Sequence, residues 1–376
     1  MSDQQPTSEA EIWQRAIQLA ERGLGWTSPN PAVGAVLIKD GRVIGEGWHH
    51  RHGGLHAERQ ALADASRRGN DPVGATIYVT LEPCAHTGSQ PPCADGLIEA
   101  GVAEVVIAAD DPTEKTRGIG PSRLENAGVK VRWAEGFPAD EALALTQDFR
   151  KRARTGKPLV TLKMAMSMDG KVATQTGDSK WISGEKSRAL VHRWRAEMDA
   201  VAVGAGTMAA DDPRLTARLG EDTPVRQPAR VIFDSSLLTT PRAALFEDVS
   251  EAPVLIVAGS DADPVKVREL EAAGAQVIPI EGEDHEARFS LALEELGERG
   301  IGSMLLEGGP KLAGAAVGAG EVDRVEVFVA PLILGGGRPA TEGPGPELMA
   351  GATRAPELRA SRVGQDVLMS STIRTW

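Results

Sequence analysis

The chain has 376 residues, more than the roughly 250 to 300 at which one hydrophobic core stops growing, so two domains are expected. Its composition, 41% hydrophobic and 25% charged, is typical of folded globular proteins and excludes the disordered class. A net charge of -12 disfavours polyanions, so a small-molecule substrate is expected and nucleic acid is not.

Helices and strands alternate through the first part of the chain. Between residues 10 and 23 apolar side chains recur at helical spacing, and Asp40-Gly41 predicts a hairpin turn. In chain order the pattern predicts a helix at 10–23, strands at 33–38 and 41–48, a helix at 56–68, a strand at 76–81, a helix at 92–100, a strand at 104–108, a helix at 122–127 and a strand at 130–133. This alternation predicts an α/β sheet covered by helices.

A basic stretch that contains glycine and proline, residues 149–158, separates two patterned regions and is interpreted as a domain junction. We therefore predict one domain over 1–150 and another over 158–376. In the second, strands are predicted at 159–164, 200–203, 230–233, 254–257, 303–306 and 324–329, and a small-residue helix with a turn at 313–320. The second domain is predicted to be α/β as well.

The N-terminus is polar and lacks the apolar region of a signal peptide, and no later apolar run is long enough to span a bilayer. We therefore expect a cytoplasmic protein with no membrane partner. The only two cysteines, Cys84 and Cys93, are too few for a disulfide framework. In a reducing compartment such a pair more often binds a metal or takes part in catalysis.

A zinc site is predicted from three side chains. His56 opens the predicted helix at 56–68, and Cys84 and Cys93 follow the strand at 76–81. One imidazole and two thiolates suit Zn²⁺, and a motif without a fourth ligand leaves a position for water, as in catalytic zinc sites. Zinc lowers the pKa of bound water to roughly 7, so attack on an amino-bearing ring carbon becomes feasible at neutral pH.

Glu58 is the predicted proton carrier of this site. Deamination requires a group that takes the proton of water and gives it to the ring nitrogen and the departing ammonia, and Glu58 lies two residues after His56. The H-x-E and later P-C pattern is the signature of zinc nucleobase deaminases, although eight residues separate the cysteines here, where C-x-x-C is usual.

Three alternatives stay open from the residues alone. Taken one at a time, His56 is compatible with an ordinary surface histidine, Glu58 with a solvated carboxylate, and the two cysteines with small buried side chains. A structural zinc in a non-catalytic binding module requires a fourth ligand, for which His86 is the candidate, and chelation tests it through the fold of the apo protein. A nucleobase or tRNA deaminase with an appended non-reductase domain predicts salt-dependent polynucleotide binding.

The second half carries weaker local signals. Gly204-Ala205-Gly206-Thr207 follows a predicted strand and suits a dinucleotide phosphate turn, but it is equally typical of a plain tight turn. Glu307-Gly308-Gly309-Pro310 before a helix is a second turn of this kind. Arg195 and Arg218 suit phosphate contacts or ordinary surface charge.

Longer motifs over nearly the whole chain resemble the bifunctional riboflavin-biosynthesis deaminase/reductase family. In the first half they are Pro29-Asn30-Pro31-Ala32-Val33-Gly34, Gly47-Trp48-His49, His56-Ala57-Glu58, Thr80-Leu81-Glu82-Pro83-Cys84-Ala85-His86 and Pro91-Pro92-Cys93. In the second half they are Leu162-Lys163-Met164-Ala165-Met166-Ser167-Met168-Asp169-Gly170-Lys171, Ser179-Lys180-Trp181-Ile182-Ser183, Gly204-Ala205-Gly206-Thr207, Asp211-Asp212-Pro213, Phe233-Asp234-Ser235 and Glu307-Gly308-Gly309-Pro310.

The resemblance implies an N-terminal cytidine-deaminase-like three-layer αβα sandwich and a C-terminal dihydrofolate-reductase-like α/β domain. It implies zinc-dependent deamination of 2,5-diamino-6-(ribosylamino)-4(3H)-pyrimidinone 5′-phosphate. NADPH-dependent reduction of the ribosyl group of 5-amino-6-(5-phosphoribosylamino)uracil to ribityl would follow. The expected cofactors are Zn²⁺ and NADPH, and a homo-oligomer is expected.

Site residues follow from the same resemblance. In the first half His56, Cys84 and Cys93 would hold zinc, Glu58 would carry the proton, and Asn30 and His86 would line the pyrimidine pocket. In the second half the implied NADPH contacts are Ala165, Trp181, Thr207, Asp211, Ser235, Gly309, Pro310, Lys311, Leu312, Ala313, Gly314 and Ala315. The implied substrate contacts are Ser179, Arg195, Leu215, Arg218 and Glu307.

One position departs from the family pattern. Where the family usually has Lys or Arg between the two cysteines, this chain has Ser89. If that cation holds the substrate phosphate, another group must replace it. The basic run His49-His50-Arg51-His52 is the candidate replacement, with a solvated loop as the alternative.

Overall fold

The computed structural model describes residues 8–87, 90–114, 116–180, 182–220 and 223–376. Two residues of interest from the sequence, Ser89 and Trp181, lie outside these ranges. The chain forms two compact units: the first ends at Thr155 and also includes Trp376, and the second is Gly156–Thr375. Within the described ranges, no helix combines the length and the apolar character needed to cross a membrane.

The first unit is built on one five-stranded sheet. Its helices are α1 (Glu9–Glu21), α2 (Ala57–Arg67), α3 (Cys93–Glu99), α4 (Ile119–Asn126), α5 (Phe137–Leu145) and α6 (Gln147–Thr155). Its strands are β1 (Gly34–Lys39), β2 (Arg42–Trp48), β3 (Thr76–Val79), β4 (Glu104–Ile107) and β5 (Lys130–Trp133). The strand order is β2-β1-β3-β4-β5, with β1 antiparallel to β2 and β3 and the other pairs parallel.

Helices cover both faces of this sheet. On α1 the buried residues Trp13 and Leu19 pack with Val36 of β1, in a cluster that also contains Ala142 of α5. The opposite face carries α2, α3 and α4, where Ala61, Leu97 and Leu124 share a second cluster with strand residues. Alternate strand residues point to opposite faces, so the sheet is buried on both sides in a three-layer αβα sandwich, as predicted.

The predicted junction at 149–158 is helical over most of its length, because α6 continues to Thr155. Two of its basic residues, Arg150 and Lys151, have partners inside the first unit. Arg150 donates to the Asp110 carboxylate at 2.8 Å and to the Trp376 carbonyl at 2.9 Å. The Lys151 ammonium lies 5.4 Å from the centre of the Trp376 ring. The sequence of this charge-rich stretch suggests a linker, whereas most of it forms a helix that is anchored by one ion pair and by contacts with Trp376.

The second unit has more strands than the sequence predicts. Its strands are β6 (Leu159–Ser167), β7 (Lys171–Ala173), β8 (Ala200–Gly204), β9 (Ala229–Phe233), β10 (Val254–Gly259), β11 (Ala275–Ile280), β12 (Ser303–Leu306), β13 (Arg324–Ala330), β14 (Arg338–Pro339), β15 (Arg359–Val363) and β16 (Asp366–Thr372). Its helices are α7 (Glu185–Glu197), α8 (Ala205–Asp211), α9 (Pro264–Ala272), α10 (His285–Glu298) and α11 (Pro310–Gly318). All six predicted strands are present.

The main sheet of this unit has nine strands in the order β11-β10-β9-β8-β12-β6-β13-β16-β15. The pairs from β11 to β13 are parallel, and β16 and β15 add an antiparallel edge. Phe289 of α10 and Ala316 of α11 pack on one face, and Val191 of α7 and Leu270 of α9 on the other. Parallel strands end at the same edge, so the loops after these strands gather there.

Candidate active sites

The first unit brings His56, Cys84 and Cys93 together. The Nδ1 atom of His56 lies 3.6 Å from the Cys84 sulfur and 3.4 Å from the Cys93 sulfur. Zinc bonds of about 2.3 Å to sulfur and 2.1 Å to nitrogen, at tetrahedral angles, would separate sulfur from nitrogen by about 3.6 Å. The side chains are therefore spaced as a shared zinc ion requires, and their donor set suits that ion.

The N-termini of α2 and α3, and a close contact between α2 and the sheet, position these ligands. His56 directly precedes α2, Cys93 is the first residue of α3, and the Cys93 amide donates to the Cys84 sulfur at 3.3 Å. A Cβ on Gly47 of β2 would lie 2.3 Å from the Ala57 carbonyl oxygen. Only glycine at this position allows α2 to lie so close to the sheet.

Electrostatics favour a cation at the cluster. The pKa of the Cys84 thiol is lowered to about 4, first by its hydrogen bond with Cys93 and also by its hydrogen bond with His56, despite opposing burial. The hydrogen bond with Cys84 and burial raise the pKa of Cys93. One proton is thus retained between two adjacent sulfurs, and a divalent ion would replace it and stabilise both thiolates.

Glu58 lies beside the cluster and is almost completely buried, with 3% of its surface exposed. Burial, followed by the Cys84 charge, raises the pKa of its carboxyl to about 7. A hydrogen bond joins it to the Cys93 thiol. A buried carboxyl whose pKa lies near 7 is suited to accept a proton and to return it.

His49 joins this site, although the sequence indicated it only within the motif Gly47-Trp48-His49 and within the basic run at 49–52. It is 2% exposed, and its ring lies edge-on to that of His56 with centres 5.3 Å apart. The Asn30 side-chain nitrogen lies 3.3 Å from His49 Nε2, while His49 Nδ1 lies 3.0 Å from the Leu55 carbonyl oxygen. Asn30 and His49 therefore form one hydrogen-bonded pair next to the metal cluster.

His86 is held by a loop that the sequence did not indicate. Its Nδ1 shares a 3.1 Å hydrogen bond with the buried Thr116 hydroxyl. The buried Glu82 carboxylate fixes the same loop, accepting from the Gly118 amide at 2.6 Å and from the Asp111 amide at 3.3 Å. His86 is thus oriented by Thr116. It does not belong to the group of metal-ligand atoms, which within the described ranges contains His56, Cys84 and Cys93 and no fourth His, Cys, Asp or Glu.

The second unit contains a cavity of about 1230 Å³ along the carboxyl ends of its parallel strands. Most of the predicted residues line it: Ala165, Ser179, Arg195, Thr207, Asp211, Leu215, Arg218, Ser235, Glu307, Gly309, Pro310, Lys311, Leu312 and Ala315. Two predicted residues face elsewhere, because successive positions of α11 point in different directions. Ala313 is buried in the core, and Gly314 packs against the Glu342 backbone.

A largely buried ion pair lines the cavity. The Arg195 guanidinium donates twice to the Glu307 carboxylate, at 2.6 and 3.0 Å, and the Lys163 ammonium lies 3.6 Å from the same group. Burial acts to raise the pKa of Glu307, but the charges of Arg195 and Lys163 outweigh it and lower the pKa to about 2. Glu307 is therefore an ionised hydrogen-bond acceptor that faces the cavity.

Arg218 lies at the same wall, with one terminal nitrogen 3.1 Å from His192 Nε2 and another donating to the Thr216 hydroxyl at 3.0 Å. Lys163 and His192 were absent from the residues that the sequence indicated for this site. Lys163 appeared there only inside a strand motif, and His192 carried no signal, because its contact with Arg218 spans 26 residues.

The glycine turns leave room for a dinucleotide. A Cβ on Gly206 would meet no atom within 4 Å, so the missing side chain there leaves open space at the cavity wall. Gly309 precedes α11 as its N-cap, and its Cβ would lie 3.3 Å from the Thr207 hydroxyl. Turns of this kind let a pyrophosphate approach the backbone, so the residues present fit NADPH.

Comparisons with known proteins cover both units. Residues 158–369 match the family described as RibD C-terminal domain, and residues 6–109 match the cytidine and deoxycytidylate deaminase zinc-binding region. The riboflavin biosynthesis protein RibD of Actinobacillus pleuropneumoniae is 38% identical over 97% of this chain and 96% of its own length.

Two solved structures are similar over nearly the whole chain. Acinetobacter baumannii RibD, form 1, has a TM-score of 0.84 at 37% identity and covers 96% of this chain and 98% of that one. A Thermotoga maritima protein described as a diaminohydroxyphosphoribosylaminopyrimidine deaminase/5-amino-6-(5-phosphoribosylamino)uracil reductase has a TM-score of 0.82 at 35% identity. It covers 96% of this chain and 97% of that one.

Fold and sites define the class of protein as an enzyme that joins a zinc-binding deaminase to a reductase. Matches to both halves in one relative show that the two parts occur together in a known family. The chain belongs to the RibD family of bifunctional riboflavin-biosynthesis enzymes. The predicted family, fold class and cofactors, Zn²⁺ and NADPH, are confirmed.

Proposed function

We propose that this chain catalyses two successive reactions on a phosphorylated pyrimidine. The first deaminates 2,5-diamino-6-(ribosylamino)-4(3H)-pyrimidinone 5′-phosphate, and the second reduces the ribosyl group of 5-amino-6-(5-phosphoribosylamino)uracil to ribityl. The observation that carries the proposal is the buried Glu58 carboxyl against the His56, Cys84 and Cys93 cluster, in a chain whose relatives pair the two activities. We assign the first reaction to residues 1–150 and the second to 158–376.

In the deaminase site His56, Cys84 and Cys93 would hold zinc. When bound, zinc supplies a nucleophile at neutral pH because it acidifies water. Glu58 would carry the two protons of water in turn, the first to the ring nitrogen and the second to the leaving ammonia, a role suited to its raised pKa. Asn30 and His86 would orient the pyrimidine, with His49 behind Asn30.

In the reductase site Glu307 and Arg195 would hold the substrate in the cavity, and Arg218 would contact its phosphate. Ser179 and Leu215 would complete the substrate contacts. NADPH, when bound, supplies the hydride. Its contacts would come from a set of cavity residues: Ala165, Thr207, Asp211, Ser235, Gly309, Pro310, Lys311, Leu312 and Ala315.

Two further predictions belong with this function. The chain is predicted to be cytoplasmic, where substrate and NADPH are both present, and to form a homo-oligomer. The basic run next to the deaminase site divides: His49 is buried beside the metal cluster, while Arg51 and His52 are exposed. We keep the run as the candidate replacement for the cation missing at Ser89, which lies outside the described ranges.

The test measures metal content and both half-reactions on the full chain. Pure protein is expected to contain one zinc per chain, to release ammonia from the diaminopyrimidinone ribotide and to oxidise NADPH on the deaminated product. A chelator is expected to stop ammonia release and to leave NADPH oxidation unchanged. Active protein without stoichiometric metal would overturn the deaminase assignment.

A further inference from the structure

We propose that His285 and Arg288, on the first turn of α10, form the subsite that binds the 2′-phosphate of NADPH and so selects NADPH over NADH. Both residues line the reductase cavity, yet neither belongs to the substrate or cofactor residues described above. The inference rests on the proposed reductase function and adds to it the group that recognises a phosphomonoester.

The position of these residues along the cavity is the first support. Glu307, which would hold the substrate, directly follows β12. From there the cavity passes Gly204 at the end of β8 and Phe233 at the end of β9, and it reaches Ile280 at the end of β11. The strand order places β11 four strands from β12, or about 19 Å at a spacing of about 4.8 Å. An extended dinucleotide with its reactive ring near Glu307 would place its adenosine half at β11.

The side chains of α10 are oriented toward this end. Phe289 is buried and stacks on Phe233, with ring centres 5.2 Å apart. His285 lies one helical turn before Phe289 and therefore shares its face, and Arg288 is three residues after His285. Arg288 Nε donates to the Gly282 carbonyl at 3.1 Å, which fixes the guanidinium at the cavity wall. Within the described ranges, Arg288 forms no ion pair with a carboxylate.

Two carboxylates near this end, Asp234 and Asp284, are already engaged by backbone amides. Sites for NADH use an acidic residue on the 2′-hydroxyl, and Asp234 after β9 has the sequence position for that role. However, Asp234 is 1% exposed, and its two oxygens accept the Leu238 and Thr239 amides at 2.9 and 2.7 Å. Asp284 accepts the Ala287 amide as the N-cap of α10.

Three other acidic residues lie just before α10 or in its first turn but do not line the cavity: Glu281, Glu283 and Glu286. The side chains that α10 contributes to the cavity wall therefore include a guanidinium and an imidazole, which suit a phosphate. A charged, forked guanidinium discriminates strongly between a phosphate and a hydroxyl, because only the phosphate offers several anionic acceptors.

The experiment titrates nucleotides onto the full chain by calorimetry, without pyrimidine substrate. The variants are Arg288→Gln and His285→Gln, and Arg299→Gln at the other end of α10 is the matched control. We expect Arg288→Gln to weaken binding of NADPH and of adenosine 2′-monophosphate about tenfold, with NADH and adenosine 5′-monophosphate changed less than about twofold. His285→Gln is expected to give a smaller loss of the same kind, and Arg299→Gln none.

The outcomes separate the subsite from the function on which it rests. Equal losses for NADPH and NADH, or no loss for either, would overturn the subsite. Wild-type protein that binds both nucleotides equally well would also overturn it while leaving the reductase intact, whereas wild type that binds neither would overturn the proposed reductase. Circular dichroism checks folding, and if Arg288→Gln does not fold, the exposed His285 carries the same test.

Discussion

In the first unit three metal-ligand atoms lie within 4.8 Å of one another, whereas in the second the candidate site residues line a cavity that crosses six neighbouring strands. The difference reflects the size of what each site holds. A single ion and a small ring need groups that converge on one point, while a dinucleotide needs contacts spread along its length. We therefore expect single substitutions to act severely in the first site and more gradually in the second.

The largest effect is expected from Glu58→Gln. Removing the ionisable carboxyl while keeping its shape should lower the rate of ammonia release by about 10² to 10⁴-fold, because general acid–base catalysis contributes that much. Zinc content and NADPH oxidation on the deaminated substrate should stay unchanged. Glu99→Gln, an exposed change on α3, is the control. A variant that still deaminates at the wild-type rate would contradict the assignment of Glu58.

The next effect concerns stability in the second unit. Glu307→Gln leaves Arg195 buried without its anionic partner and should lower the free energy of unfolding at pH 7 by about 3 kcal/mol. The pKa of Glu307 is depressed to about 2, so its contribution is present above the ordinary pKa of about 4.5 and is lost as pH falls toward 2.

The wild type and Glu307→Gln should therefore differ most at pH 7 and much less at pH 3, as measured by urea unfolding followed by circular dichroism. Glu298→Gln, an exposed change at the end of α10, should match the wild type at both pH values. An equal difference at pH 7 and pH 3 would show that the ion pair does not stabilise the second unit.

A smaller effect is expected from the loop that orients His86. Thr116→Val removes the hydroxyl that binds His86 Nδ1 and should lower kcat/KM for deamination about tenfold, since a buried hydrogen-bond partner is lost. Thr116→Ser should restore activity. Thr113→Val is the control in the same loop, because that hydroxyl binds Asp111 instead. Loss of reductase activity in Thr116→Val would point to a general folding defect.

Sequence patterns within short segments were enough to predict the strands of the first unit and its zinc site. Short apolar segments and a hairpin turn signal indicated β1 to β5 of the first unit, and the order of His56, Glu58, Cys84 and Cys93 indicated zinc and its proton carrier. These signals are local, because each helix or strand repeats on its own period and the ligands lie at the ends of such elements. For the second unit the resemblance to a known family supplied most of the site residues, since glycine turns by themselves are common.

Tertiary structure alone decided the rest. The hydrogen bond from Gly118 to Glu82 spans 36 residues, and the ion pair of Arg195 with Glu307 spans 112. The spacing of residues along a helix or strand cannot predict such contacts, because it is the order of strands in the sheet that brings the two distant residues together. The same reason explains why Arg288, which belongs to none of the motifs found in the sequence, lines the far end of a cavity in the folded chain.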